Sequence, residues 1–232
     1  MKNIFQLFAL TSILALSSCE KESVDEPITL GDYPVKEYYL ERNPSVNVWG
    51  AGMDFIHSEC ALSDTELDYE YMVEDDDFPY DLKFYTVKSY YYNDNNELTT
   101  EGCPTLLFAA DTKACKIGEG VDFFDSVVTV TDDMISGLEY DHQVDFSQFY
   151  DEEEGYYKRE ELFAEIDEKC IIGRSFRENV LVVPDGMTEE EVQAVYLVET
   201  REGGYAKFMV KQFKPASPNE QQTLMRWQVI SE

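Results

Sequence analysis

The chain has 232 residues, 44% of them hydrophobic and 14% aromatic, and carries a formal net charge of −30. That apolar content is enough for a packed core and excludes global disorder. Only 18 Lys and Arg stand against 48 Asp and Glu, which excludes nucleic acid as a partner and electrostatic adhesion to anionic lipid, since both need clustered cations. The charge reads as a solubility feature of an exposed surface.

The chain opens with Lys2, an apolar run from Ile4 to Leu16, and then Ser17, Ser18 and Cys19. A cationic start, an apolar run and small residues make the pattern of a secretory signal peptide over residues 1–18. The run is too short to cross a bilayer, which takes about 20 apolar residues. Leu16-Ser17-Ser18-Cys19 resembles a bacterial lipobox. On that reading Cys19 carries the lipid and anchors the chain in the bilayer. More than one acyl chain makes such an anchor stable. Glu20-Lys21-Glu22 resembles the signal that sends lipoproteins to the outer face of an outer membrane. Residues 19–36, with Pro27, Gly31 and Pro34, read as a flexible stalk. Residues 37–232 then form one domain.

Within that domain, Leu82 to Tyr92 is rich in aromatic and β-branched residues and predicts a strand. Asn93 to Asn96 supplies turn chemistry, and Thr105 to Ala110 predicts the returning strand. Phe123 to Thr131 is a further strand candidate. Lys158 to Lys169 carries the one amphipathic helical stretch, and Thr188 to Gln193 predicts at most a helical turn. Val195 to Thr200, the turn Arg201 to Gly204, Tyr205 to Phe213, and Gln222 to Ile230 predict a three-stranded antiparallel meander. In its middle strand Ala206, Phe208 and Val210 share one face, and Lys207, Met209 and Lys211 the other. The expected fold is mainly β: a single antiparallel β-rich domain with one or two short helices.

Cys60, Cys103, Cys115 and Cys170 remain besides Cys19. An exported chain permits disulfides, and four thiols allow three pairings. Cys103 and Cys115 flank a short strand and form the easiest local pair. The cysteines are not grouped with histidine as a zinc site would need. The two histidines are His57 and His142. His57 reads as a structural or surface residue. The sequence holds no HExxH, GxSxG, P-loop or GxGxxG motif, so nothing points to an enzyme. Asp75 to Asp77 and Asp94 to Glu97 offer oxygen ligands but lack calcium-loop spacing, and read as solvated loops. The tyrosines at 90–92 and at 156 and 157 read as strand-face packing.

Three segments carry a family resemblance. Val195 to Phe213, with its strand, glycine turn and Tyr205-Ala206-Lys207, resembles the C-terminal signature of the HmuY-like haem-binding lipoproteins. Asp77 to Lys88 resembles that family's early aromatic and alternating strand, and Gly102 to Ala110 its glycine-bearing return. The resemblance implies a mostly antiparallel β domain that grips haem, supplies two axial ligands and works beside an outer-membrane haem transporter. Asp141-His142-Gln143-Val144-Asp145-Phe146 resembles the segment of the first ligand, which makes His142 its counterpart. Met187 is the nearest candidate for the second, and a His/Met pair is a known ligand set for haem iron. The alternative is a binding module of the same fold that recognises a glycan, a peptide or a host protein.

Overall fold

The computed structural model describes residues 28–41, 49–62, 80–173, 186–188, 193–215 and 221–232. The expected signal peptide, Cys19 and the stalk as far as residue 27 lie outside the described residues, as does the acidic run Asp75 to Asp77.

The strands are β1 (Ile28–Thr29), β2 (Lys36–Glu41), β3 (Trp49–Asp54), β4 (Glu59–Leu62), β5 (Leu82–Tyr92), β6 (Leu98–Phe108) and β7 (Lys113–Glu119). Then come β8 (Thr129–Val130), β9 (Glu139–Tyr140), β10 (Tyr150–Asp151), β11 (Tyr156–Lys158), β12 (Ala194–Glu199), β13 (Tyr205–Pro215) and β14 (Gln221–Ser231). Among the described residues, three α-helices and one short 3-10 helix (Phe146–Phe149) are interspersed: α1 (Val121–Ser126), α2 (Asp132–Ser136) and α3 (Arg159–Lys169). The protein is mainly antiparallel β.

Two six-stranded sheets carry the fold. In the first, the order is β10-β11-β5-β3-β4, with β6 on the other side of β5. β3 pairs with the start of β5, and β11 runs parallel to its end. In the second, the order is β2-β14-β13-β12-β7-β9. The expected C-terminal meander is its centre. β6 begins at Leu98, earlier than expected, and pairs with β5 along its whole length.

The core lies between the sheets. Met53, Phe84, Leu106 and Phe108 of the first sheet pack in one cluster with Tyr196, Phe208, Met225 and Trp227 of the second. Phe208 and Phe108 meet edge to face at 6.2 Å. Burying each such side chain stabilises the fold by about 1.5–3 kcal/mol. The outer faces of both sheets are covered as well. Val87 and Leu107 pack under Leu162, Phe163 and Ile166 of α3. Val195 and Met209 pack against Phe124 of α1, and Leu197 and Ile230 against residues of α2 and β1. A strand covered on both faces loses its polar alternation, which is why Ala194 to Val198 are all buried.

Two expectations change. Phe123 to Thr131 is not one strand: α1 occupies its first half, and only Thr129–Val130 pair, with β1. In α1, Phe124 enters the cluster over β12 and β13, a contact between distant segments that overrides local strand preference. The stalk is also shorter than expected at its inner end. Ile28 and Thr29 pair with β8, and Leu30 and Gly31 donate backbone hydrogen bonds to Val128 and Ile230. The face of β13 that bears Lys207 is buried beneath α1. Lys207 Nζ donates to the carbonyls of Phe124 (2.6 Å) and Val127 (2.8 Å) at the end of that helix, where cations are favoured. Thr188 is not helical, and residues 189–192 lie outside the described residues.

Candidate functional site

His142 follows β9 in a loop that a buried carboxylate fixes. Asp141 accepts a backbone hydrogen bond from Phe108 at the end of β6 (2.9 Å) and one from Ile171 just beyond α3 (2.8 Å). Burial raises its pKa, and those backbone bonds partly offset the rise. Gln143 Nε2 donates to the carbonyls of Phe108 and Asp141. The loop therefore has its backbone and side chains tied on both sides.

The His142 ring, 34% exposed, pairs through Nε2 with Glu165 Oε1 of α3 at 2.7 Å. Glu165 Oε2 pairs with Lys169 at 2.7 Å. Lys169 first, and His142 second, hold the Glu165 carboxyl below its usual range. No described residue hydrogen-bonds Nδ1 of His142. A histidine that ligates a metal through one ring nitrogen usually engages a carboxylate with the other, and His142 has that arrangement.

Met187 stands between Gly186 (φ 88°) and Thr188 and is 50% exposed. Large apolar side chains on a surface are ordinary singly, yet a thioether in this position is open to a ligand. Met187 lies in the approach to β12 of the second sheet, whereas His142 lies beside α3 on the outside of the first.

The expected pairing of Cys103 with Cys115 is not made. Cys115 and Cys170 are free thiols. Cys115 Sγ donates to the Met134 carbonyl (3.4 Å) and Cys170 Sγ to the His142 carbonyl (3.7 Å). The fold places Cys115 on β7 of the second sheet and Cys103 on β6 of the first. Burial, with Asp141 nearby, pushes the Cys170 thiol up to about 12. The side chains of Cys60 and Cys103 lie outside the described residues.

The tyrosines pack in part as expected. Tyr157 is buried against Tyr150 and Phe146. Tyr90 and Tyr92 donate instead to Asp151 (2.8 Å) and Glu154 (3.1 Å). Tyr92 and its cross-strand partner Leu98 are both exposed. The Asn93 to Glu97 turn is closed by its own bonds: Asn93 Oδ1 accepts from the backbone of Asn95 and Glu97.

His57 sits in a second polar constellation that the sequence did not single out. In the turn from β3 to β4, its Nδ1 lies 2.9 Å from Asp54 Oδ2, and its backbone N–H donates to Asp54 Oδ1 (2.8 Å). The hydrogen bond and charge of Asp54 raise the His57 pKa, and Glu202 and Glu59 add to the rise. Asp81, just before β5, is buried beside this turn. It accepts from the backbone of Phe55 (2.9 Å) and of Arg201 (3.0 Å). Burial pushes its carboxyl up to about 6, against the pull of those two bonds.

No family model and no curated protein matches the chain. Among solved structures, the chain is similar to the apo HmuY analogue of Tannerella forsythia, at 9% identity and a TM-score of 0.39. The match covers 86% of this chain and 98% of that one. A likeness of this degree carries no functional residue across. The class of protein the structure itself defines is a mainly antiparallel β domain whose two facing sheets are each covered on the outside.

Proposed function

We propose that this chain is a non-enzymatic, lipid-anchored protein of the outer membrane that faces the cell exterior, captures haem and passes it to an outer-membrane transporter. The leader over residues 1–18 and Cys19 support the anchor, and the segments Asp77 to Lys88, Asp141 to Phe146 and Val195 to Phe213 support the ligand. The observation that carries the reading is His142. Its imidazole is reachable from solvent, fixed at Nε2 by Glu165, and held on a loop pinned through Asp141. The donor chemistry suits haem: imidazole and thioether are both axial ligands of its iron. His142 would hold the iron through one ring nitrogen while Glu165 orients the other, and Met187 would supply the second bond. Haem, when bound, brings the iron and its redox chemistry. This chain contributes the ligands, their orientation and apolar cover.

The test is titration of the purified protein with haem, followed by absorbance. A sharp, shifted Soret band at one equivalent is expected. An unchanged spectrum in both oxidised and reduced haem overturns the reading. It would favour a module for a glycan, peptide or host protein, for which the exposed pair Tyr92 and Leu98 at the end of the β5–β6 hairpin is the supporting feature.

A further inference from the structure

Two turns far apart in sequence meet at one end of the sandwich. The first, Phe55 to Ser58, joins β3 to β4. The second, Arg201 to Gly204, joins β12 to β13. They approach closely: a Cβ on Gly204 would lie 3.1 Å from Ile56 Cδ1 and 2.4 Å from the Ser231 carbonyl, so that position accepts only glycine. The meeting brings Asp54, His57 and Glu202 together, with one ligand atom from each lying within 4.8 Å of the others.

We propose that Asp54, His57 and Glu202 form a binding site for a first-row divalent transition-metal cation of the zinc class. The donor set is one imidazole nitrogen and two carboxylates. That mixture suits zinc, where an all-oxygen set would suit calcium or magnesium. Tetrahedral bonds of about 2.0–2.2 Å place neighbouring ligand atoms roughly 3.3–3.6 Å apart. His57 Nδ1 and Asp54 Oδ2 stand 2.9 Å apart, and a small shift of the exposed His57 ring opens that gap. The cation takes the place of the proton between them, which leaves to the solvent. Three protein ligands leave further positions for water.

Carboxylates gather at this place. Asp54 is buried and Glu202 exposed, with Glu59 near the ring. The adjacent cation, Arg201, turns its Nε to Asp111 Oδ2 at 3.0 Å. Arg201 also acts on Glu202 and Asp81 by its charge, and a divalent ion between the carboxylates would add to that positive charge.

The two ligand-bearing turns are also fixed to one anchor. Asp81 takes the backbone N–H of Phe55, next to Asp54, and that of Arg201, next to Glu202. Its own backbone bonds reach Met53 and Ala109. Asp81 is thus a positioning residue: it touches no ion, yet it sets the distance between the ligands. A site held in this way loses little entropy on binding.

The experiment is a calorimetric titration of the purified protein with zinc chloride in a non-chelating buffer. One equivalent should bind, with calcium chloride giving no heat. His57→Gln and Glu202→Gln, both at exposed positions that leave folding intact, should each weaken zinc by roughly tenfold or more. His142→Ala should leave it unchanged, which separates this site from the proposed haem ligand. Absence of zinc binding at millimolar concentration overturns the proposal. So does wild-type affinity in both His57→Gln and Glu202→Gln, or a loss confined to His142→Ala.

Discussion

The two histidines of this chain each meet a carboxylate, and the surroundings make them different. His142 pairs with Glu165, whose other oxygen is already held by Lys169. That pair is balanced, half exposed and free at one ring nitrogen. His57 pairs with the buried Asp54 and faces Glu202 and Glu59, with Arg201 shared among Asp111, Glu202 and Asp81. The first arrangement orients an imidazole; the second accumulates negative charge. Each is braced by a buried aspartate that takes two backbone N–H groups from distant segments: Asp141 for His142, Asp81 for His57. The same bracing device thus recurs beside both histidines.

The largest expected effects come from those braces. Asp81→Ala and Asp141→Ala each strand two backbone donors, at about 1–3 kcal/mol per group. Urea denaturation should show a loss of roughly 3 kcal/mol for each, since bonds to a carboxylate lie toward the upper end of that range. A loss under about 1 kcal/mol in either variant would mean that water replaces the carboxylate and that the brace is unimportant.

A pH series probes the Asp81 brace next. The folded pKa of Asp81, about 6, lies above its ordinary value of 3.8. The folded state therefore binds the proton more tightly than the unfolded one. Its contribution is complete below the unfolded value and is lost as pH rises through the folded one, so stability should fall across the window from 3.8 to about 6. Asp81→Asn should flatten that part of the profile. An unchanged slope would assign the pH dependence to other groups.

Thiol chemistry gives a smaller effect. Cys115 and Cys170 should react as free thiols, slowly in the native protein and rapidly once it is unfolded, because burial disfavours both thiolates. Mass spectrometry showing either residue in a disulfide would contradict this. The smallest effect concerns the exposed partners. Glu202→Gln, at an exposed position, should barely move the denaturation midpoint, and Glu165→Gln, which gives up its pairs with His142 and Lys169 near the surface, should move it only slightly more. Their consequences should appear in ligand binding instead.

The strands and the helix over the first sheet were legible in the sequence, and the layer over the second sheet was not. Ala206, Phe208 and Val210 alternate with Lys207, Met209 and Lys211, and they do line the core. The helix Arg159–Lys169 was equally plain, because Leu162, Phe163 and Ile166 recur at helical spacing. Phe123 to Thr131 misled, since its β-forming composition is local whereas the contact of Phe124 with Val195 and Met209 is not. The burial of Lys207 depends likewise on a distant contact, with two carbonyls at the end of α1. At the candidate sites, the position of His142 next to an anchoring Asp141 could be read only through the family resemblance. Glu165 joins it from the next helix, and a single sequence does not pair residues across a loop. The Asp54 and His57 spacing hints at a turn, but nothing local announces Glu202, which arrives through the packing of Gly204 against Ile56.

The most direct test of the central claim is the absorbance spectrum of haem mixed with wild type, His142→Ala and His57→Gln. Wild type and His57→Gln should give the same six-coordinate, low-spin spectrum, and His142→Ala should give a high-spin one or none. An unshifted wild-type spectrum, or a wild-type spectrum retained by His142→Ala, would contradict the assignment of haem to His142.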